Sequence, residues 1–198
     1  MFTGIIQDLG KVKEFSSGKL TVSTNLNLKD CKIGSSISCN GVCLTAIDIK
    51  KEKEKFYFTV NLGEETISRT NFKDKKFTSN TINLEKSLKL GDEIAGHFVY
   101  GHVDLVTNII QIKKLKNSWE FIFKKKFKDQ SKFIVEKGSI TINGISLTVA
   151  KVQENSFSTS VVPHTFFNTN FQYSKKNDLV NLEFDYLTRY IFNKNEKK

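Results

Sequence analysis

A thiol and a hydroxyl occupy matching points of two related strings. Asn40-Gly41-Val42-Cys43-Leu44-Thr45 returns about 100 residues further on as Asn143-Gly144-Ile145-Ser146-Leu147-Thr148. At such a position a thiol serves as a polar contact or weak nucleophile, although a small buried hydrophobe is the commoner fate of a free cysteine. His102 is a second candidate, because an imidazole with an unperturbed pKa near 6.5 can move protons at neutral pH. His97 stands at an odd spacing from it, which on a strand turns it to the opposite face, and it is read as structural. The chain has 3 Cys, at positions 31, 39 and 43. An odd number cannot pair completely, and the irregular spacing without a nearby His does not make a zinc site, so reduced thiols in a cytoplasm fit best.

The elements that must carry these residues are mostly strands. Phe56, Phe58, Val60 and Leu62 alternate with Tyr57, Thr59 and Asn61, and Trp119, Phe121, Phe123, then Phe157, Thr159, Val161, then Leu147, Val149, then Val180, Leu182, Phe184 repeat the rhythm. Turn signals at Ser17-Gly18, Asn40-Gly41, Asn143-Gly144 and Asn155-Ser156 separate them, which predicts half-buried antiparallel strands in a small barrel per copy. The duplication extends beyond the two strings. Glu65-Thr66 and Thr70-Asn71-Phe72 return as His164-Thr165 and Thr169-Asn170-Phe171, and Asn83-Leu84-Glu85 as Asn181-Leu182-Glu183. Phe2-Thr3-Gly4-Ile5-Ile6-Gln7 aligns more weakly with Val99-Tyr100-Gly101-His102-Val103-Asp104. A domain-sized period means two complete domains rather than stacked short repeats, with the boundary near Leu90 to Ala95. Helix is expected only near Glu64–Arg69, at the equivalent begun by Pro163, near Lys128–Val135, and after Asp185.

The chain of 198 residues, 38% hydrophobic and 12% aromatic, has apolar material for two modest cores. A formal net charge of +10 raises the question of nucleic acid, but the lysine runs at 50–55 and 124–126 read as solvated faces or hairpin loops, and the aromatics alternate into cores rather than interleaving with lysine. No apolar run is long enough to cross a bilayer, and Met1-Phe2-Thr3-Gly4 leads into an expected strand with no basic leader or cleavage site. A soluble, unexported protein with no nucleic-acid or membrane partner is expected.

Taken in order, Met1-Phe2-Thr3-Gly4-Ile5-Ile6, the Asn40 string, Gly96-His97-Phe98-Val99-Tyr100-Gly101-His102-Val103-Asp104 and the Asn143 string resemble riboflavin synthase of the alpha-chain type, built from two lumazine-binding repeats. The resemblance runs from residue 1 to about 192. It implies an all-β fold of two tandem Greek-key antiparallel barrels, residues 1–94 and 95–184, with a short C-terminal helix and tail at 185–198. It implies a transferase without cofactor or metal: two molecules of 6,7-dimethyl-8-ribityllumazine dismutate by transfer of a four-carbon unit, giving riboflavin and a ribitylaminopyrimidinedione. It also implies a homotrimer joined through C-terminal helices, in which the N-terminal barrel of one subunit faces the C-terminal barrel of another.

The site residues carried over are, for the first barrel, Gly4, Ile5 and Ile6 beside the ring, then Cys43, Leu44 and Thr45, then Asn61, Leu62, Gly63, Glu64, Glu65 and Thr66 near the ribityl chain. For the second barrel they are Gly101, His102, Val103, Lys137, Ser146, Leu147, Thr148 and the segment Val161, Val162, Pro163, His164, Thr165, Phe166. Within that frame His102 polarises the ring or shuttles a proton, Lys137 faces the anion left when the 7-methyl group loses its proton, and Asp185 either orders Ser146 or His102 or caps the last helix. Thr45 and Thr148 are equally explained as strand formers. Ser146 opposite Cys43 points to two barrels that bind one ligand for different jobs. The family often has Asp where this chain has Asn143, a departure that removes a possible charge near Ser146. Tyr186, Leu187, Tyr190 and Ile191 share a helix face that needs cover, from another subunit or from the barrels.

Overall fold

The computed structural model describes residues 1–74, 81–126 and 131–195. Among the described residues, twelve strands form two closed six-stranded antiparallel barrels. The first holds β1 (Asp8–Ser16), β2 (Lys19–Thr24), β3 (Ser36–Cys39), β4 (Val42–Glu52), β5 (Lys55–Asn61) and β6 (Thr81–Lys86). The second holds β7 (Leu105–Lys114), β8 (Trp119–Lys124), β9 (Ser139–Ile142), β10 (Ile145–Val152), β11 (Ser156–Val161) and β12 (Leu179–Phe184). Around the first barrel the order is β1-β2-β5-β4-β3-β6, and the second repeats it as β7-β8-β11-β10-β9-β12. The swap of strand order after β2 and β8 is a Greek-key path, and pairing β1 with β6 and β7 with β12 removes every open edge.

Alternation supplies the cores as expected. Leu20, Val22, Ile37, Phe58, Val60, Ile82 and Leu84 fill the first barrel, and Ile109, Phe121, Phe123, Ile140, Val149, Phe157 and Leu182 the second. Each fully buried Phe, Leu or Ile contributes about 1.5–3 kcal/mol by leaving water. The Asn-Gly strings are hairpin turns with positive φ at both residues, 49° and 78° at Asn40-Gly41, 48° and 81° at Asn143-Gly144. That is the left-handed pair that type I′ turns require and that Asn and Gly adopt most easily.

Two strands depart from the half-buried pattern. In β6 Asn83 and Glu85, and in β12 Asn181 and Glu183, are as buried as their inward neighbours. Their outer faces are covered by the other barrel and by the opening segment of their own copy. Asn83 and Asn181 belong to a network of six asparagines across the barrel interface, five of them buried and Asn170 half-buried. Asn40 Oδ1 accepts from the Asn83 amide and Asn143 Oδ1 from the Asn181 amide, both at 2.8 Å. Across the interface Asn83 Nδ2 donates to the Asn143 carbonyl at 2.8 Å and Asn181 Nδ2 to the Asn40 carbonyl at 2.9 Å. Asn71 and Asn170 complete the pattern by donating their amides to Asn181 Oδ1 and Asn83 Oδ1, each at 2.7 Å.

The short helices follow the repeat too. α1 spans Glu64–Arg69 and α2 spans Pro163–Phe167. Both end where a threonine hydroxyl donates back to the helix, Thr70 to the Thr66 carbonyl and Thr169 to the Thr165 carbonyl. The same hydroxyls cap 3-10 turns at Asn71–Lys73 and Asn170–Tyr173, which aim the two asparagines at the interface. Of the helix expected near Lys128–Val135, the described part holds a 3-10 turn at Ser131–Phe133, and 128–130 lie outside the described residues. α3, Tyr186–Asn195, begins at Asp185, whose Oδ1 accepts the Leu187 amide at 3.0 Å. It docks through Tyr186 on Tyr100, ring centroids 4.5 Å apart, and through an Arg189 to Asp104 ion pair. Leu187, Tyr190 and Ile191 remain exposed. No helix among the described residues is long and apolar enough to cross a membrane.

Candidate functional site

In both barrels the strand leaving the Asn-Gly turn divides its side chains between core and exterior. Val42, Leu44 and Ala46 point inward while Cys43 and Thr45 face out, and Ile145, Leu147 and Val149 point inward while Ser146 and Thr148 face out. From the Ala46↔Val60 and Val149↔Thr159 pairs the antiparallel partner strands run out beside these faces into 61–66 and 161–166. The structure thus builds two equivalent outward faces. Leu44, Leu62, Leu147 and Val161 belong to the cores, so these four offer a ligand only their main chain. Asn61, Gly63, Glu64 and Glu65 are exposed around the first face and Val162, Pro163 and His164 around the second, with Thr66 and Thr165 half-buried. Phe166 is stacked flat on Trp119, centroids 3.9 Å apart, which fixes the wall of the second face.

The segment that completes each face comes from the other copy, and this corrects the expected grouping. Gly4, Ile5 and Ile6 lie against the second barrel: the Gly4 carbonyl accepts the Ser146 amide at 2.8 Å, and Ile6 packs on the second core. Gly101, His102 and Val103 lie against the first: the Gly101 carbonyl accepts the Cys43 amide at 2.9 Å, and Val103 packs on the first core. The approach is so close that a Cβ on Gly4 would stand 2.7 Å from Ser146 Cβ and one on Gly101 2.6 Å from Cys43 Cβ. Both glycines have positive φ, 77° and 78°, so a side chain there meets a clash and a strained backbone together. The physical reason for the exchange is the interface: the two Asn-Gly turns abut, with a Cβ on Gly41 lying 2.6 Å from the Gly144 nitrogen, so each outward strand emerges under the other copy's opening segment.

The two histidines therefore belong to different faces. Residues 96–104 are not a continuous strand, only a bridge between Phe2 and Val99, so the alternation argument for His97 does not apply. His97 Nδ1 lies 2.7 Å from Ser146 Oγ and Nε2 lies 3.0 Å from Thr141 Oγ1. Burial holds its pKa below the ordinary 6.5, opposed by the charge of Asp185, and the ring bridges the Ser146 and Thr141 hydroxyls. Its sequence signal was the Gly96-His97 pair ahead of the second opening segment. Cys43 and Ser38, the repeat equivalents of Ser146 and Thr141, are not bridged by a histidine among the described residues. His102 is exposed, its amide tied to Glu183 at 3.1 Å.

Three other expected residues are placed as follows. Asp185 caps α3 and acts on His97 through its charge, while the Ser146 hydroxyl is bonded to His97. Lys137 sits at φ 65° with its amide on the Val149 carbonyl, where the first copy has Gly34 at φ 93° on the Ala46 carbonyl. A lysine held in the left-handed region that glycine fills in the first copy carries local backbone strain. The Asn143 side chain is directed into the interbarrel network and is 4% exposed, so it faces that joint rather than Ser146. Of the cysteines, Cys39 is fully buried and Cys31 partly so, and burial pushes both thiols up.

The sequence matches the Lumazine binding domain family twice, over residues 3–87 and 100–185. It is 37% identical over 195 residues to a riboflavin synthase of Actinobacillus pleuropneumoniae, covering 96% of this chain and 88% of that one. It is 38% identical to that of Brucella abortus (strain 2308), covering 96% of each chain, and 40% identical to that of Chlamydia muridarum (strain MoPn / Nigg), covering 96% of this chain and 92% of the other. Among solved structures, LumP complexed with riboflavin superposes with a TM-score of 0.79 at 23% identity, covering 93% of this chain and 99% of that one. LumP complexed with 6,7-dimethyl-8-(1'-D-ribityl) lumazine gives 0.75 at 20%, covering 92% and 98%. Two matched repeats spanning most of the chain, and relatives this similar over nearly its whole length, mean that the chain belongs to the riboflavin synthase family of paired lumazine-binding domains.

Proposed function

We propose that the protein is a riboflavin synthase, a transferase that takes two molecules of 6,7-dimethyl-8-ribityllumazine and moves a four-carbon unit from one to the other. The products are riboflavin and 5-amino-6-ribitylamino-2,4-pyrimidinedione. The observation that carries this reading is the doubled outward face: a reaction between two copies of one substrate needs two copies of one site, and Cys43 with Thr45 and Ser146 with Thr148 supply them. Holding two reactants in attack geometry is worth roughly 7–11 kcal/mol. That leaves the side chains modest work: His102 and Ser146 in proton transfer and polarisation, Lys137 facing the anion of the 7-methyl carbon, and Cys43 and Thr148 touching the ring. Main-chain groups of Gly4–Ile6, Gly101–Val103, 61–66 and 161–166 bind the pteridine edge and ribityl chain. The difference between His97-bonded Ser146 and Cys43 supports unequal jobs, donor and acceptor, for the two faces.

In this reading residues 1–94 and 95–184 are the two lumazine-binding repeats, each lending its opening segment to the other's face, and 185–198 is the joining segment. The exposed Leu187, Tyr190 and Ile191 on α3 offer an apolar surface for joining subunits, which the reading takes as a homotrimer with the first face of one subunit against the second face of another. Three free thiols suit the reducing cytoplasm. The test is to mix purified protein with 6,7-dimethyl-8-ribityllumazine alone and follow riboflavin by absorbance while counting lumazine consumed. Two lumazines lost per riboflavin formed, with the rate collapsing in His102→Gln and Cys43→Ser, is the expected result. Tight binding without riboflavin would make the protein a lumazine carrier, and no binding would overturn the reading.

A further inference from the structure

The repeated Asn-Leu-Glu string contains two carboxylates that the reaction above does not use. On an isolated barrel Glu85 and Glu183 would face solvent, yet they are 3% and 5% exposed. Glu85 Oε1 accepts the Thr3 amide at 2.8 Å and the Thr3 hydroxyl at 3.0 Å, and Oε2 accepts the Gly4 amide at 3.0 Å. Glu183 Oε1 accepts the Tyr100 amide at 2.7 Å, and Oε2 accepts the amides of Gly101 at 2.9 Å and His102 at 3.1 Å. Neither forms an ion pair with Lys or Arg among the described residues; consecutive main-chain amides hold each carboxyl as in an anion nest, and at Glu183 the charge of the N-terminus adds to them. Only a carboxylate offers acceptors at both oxygens and no donor to collide with an amide.

These clips act across the interface. Glu85, on the first barrel, holds Gly4, whose carbonyl takes the Ser146 amide on the second. Glu183, on the second barrel, holds Gly101, whose carbonyl takes the Cys43 amide on the first. We infer that Glu85 and Glu183 are positioning residues for ligand binding, each setting the geometry of the face on the opposite barrel. The inference rests on the two-site lumazine reading. It ties the two faces together: a displacement at one barrel's glutamate is felt at the other barrel's ligand. Burial pushes both carboxyl groups up and the amides they accept oppose it.

The test uses the full-length chain and a reporter on each face. Iodoacetamide labelling of Cys43, mapped by mass spectrometry against riboflavin concentration, reports the first face. Glu183→Gln should raise the riboflavin concentration that protects Cys43 by about tenfold or more, the loss expected for a charge-assisted hydrogen bond. Glu85→Gln should leave that midpoint unchanged while weakening the other ligand in a fluorescence titration. Equal effects of both variants on Cys43, or no effect of Glu183→Gln, would overturn the inference. Amide exchange without ligand keeps the two readings apart: Glu183→Gln should speed exchange at Cys43 and Glu85→Gln at Ser146, even if the wild-type protein binds no lumazine. Exchange changing only within the mutated barrel would refute cross-barrel positioning. If the Gln variants do not fold, Thr3→Val, which removes one bond to Glu85 and no charge, should speed exchange at Ser146 and not at Cys43, and the reverse would overturn it.

Discussion

Asn181→Ala should be among the most damaging single truncations in the chain, although it removes no apolar side chain. Asn181 is 1% exposed. Its Nδ2 donates to the Asn40 carbonyl at 2.9 Å and to Asn71 Oδ1 at 3.0 Å, and its Oδ1 accepts the Asn71 amide at 2.7 Å. Truncation leaves the buried Asn71 amide and Asn40 carbonyl without these partners, and each such group costs about 1–3 kcal/mol, so the sum with the lost side-chain bond is about 3–6 kcal/mol. Against a total stability of about 5–15 kcal/mol this is severe, and for a chain of this length it lowers Tm by on the order of 10–20 °C. Asn170→Ala is the control. It removes the bonds from Asn170 Nδ2 to Asn40 Oδ1 and from Asn83 Nδ2 to Asn170 Oδ1, but those partners keep the Asn83 amide and the Asn143 carbonyl, so about 1–2 kcal/mol is expected. Urea unfolding followed by fluorescence and circular dichroism measures both. Because the network joins the barrels, Asn181→Ala should also split one transition into two. A cost below about 1 kcal/mol, or equal costs for the two variants, would refute the reasoning that orphaned main-chain groups set the magnitude.

Other expectations follow from the same structure. His97 has a folded-state pKa below its unfolded 6.5, so the unfolded chain binds more protons as pH falls below 6.5; stability should be full above that value and decline toward the folded pKa. Thermal melts between pH 7.5 and 5 should show this slope, flattened in His97→Gln. Lys137→Gly restores glycine at a left-handed position and should leave stability unchanged or raised by up to about 1 kcal/mol, while riboflavin formation falls; a loss of stability would show that Lys137 is structural. Leu187→Ser with Ile191→Ser should reduce the mass seen by light scattering to that of one 22.6 kDa chain if α3 joins subunits. An unchanged mass would exclude α3 as the joint.

Much of this architecture was legible because local rules and global fold agree. Alternation in β5 and β8 could be satisfied only by a sheet with one buried face, Asn-Gly fixed the turns before Cys43 and Ser146, and Pro163 marked the start of α2. The face of α3 was half legible: Tyr186 found cover on Tyr100, while Leu187, Tyr190 and Ile191 did not. Period-two reasoning failed at residues 96–104 because it presumes a strand, and that stretch is pinned by glutamate clips instead of a ladder.

What the sequence determined by itself is therefore the module and its number: two copies of a small antiparallel barrel, with Cys43 and Ser146 at equivalent positions of the two. That information lies in side-chain period and turn chemistry, which act over a few residues. Tertiary structure alone decided which opening segment serves which face, why His97 rather than Asp185 holds Ser146, and why Asn143 looks into a joint. Two homologous copies offer the Gly4 and Gly101 carbonyls equivalent donor amides, at Ser146 and Cys43, so local pattern cannot choose between them. The choice is made where the barrels meet, by asparagines from distant parts of the chain that satisfy one another's buried amides.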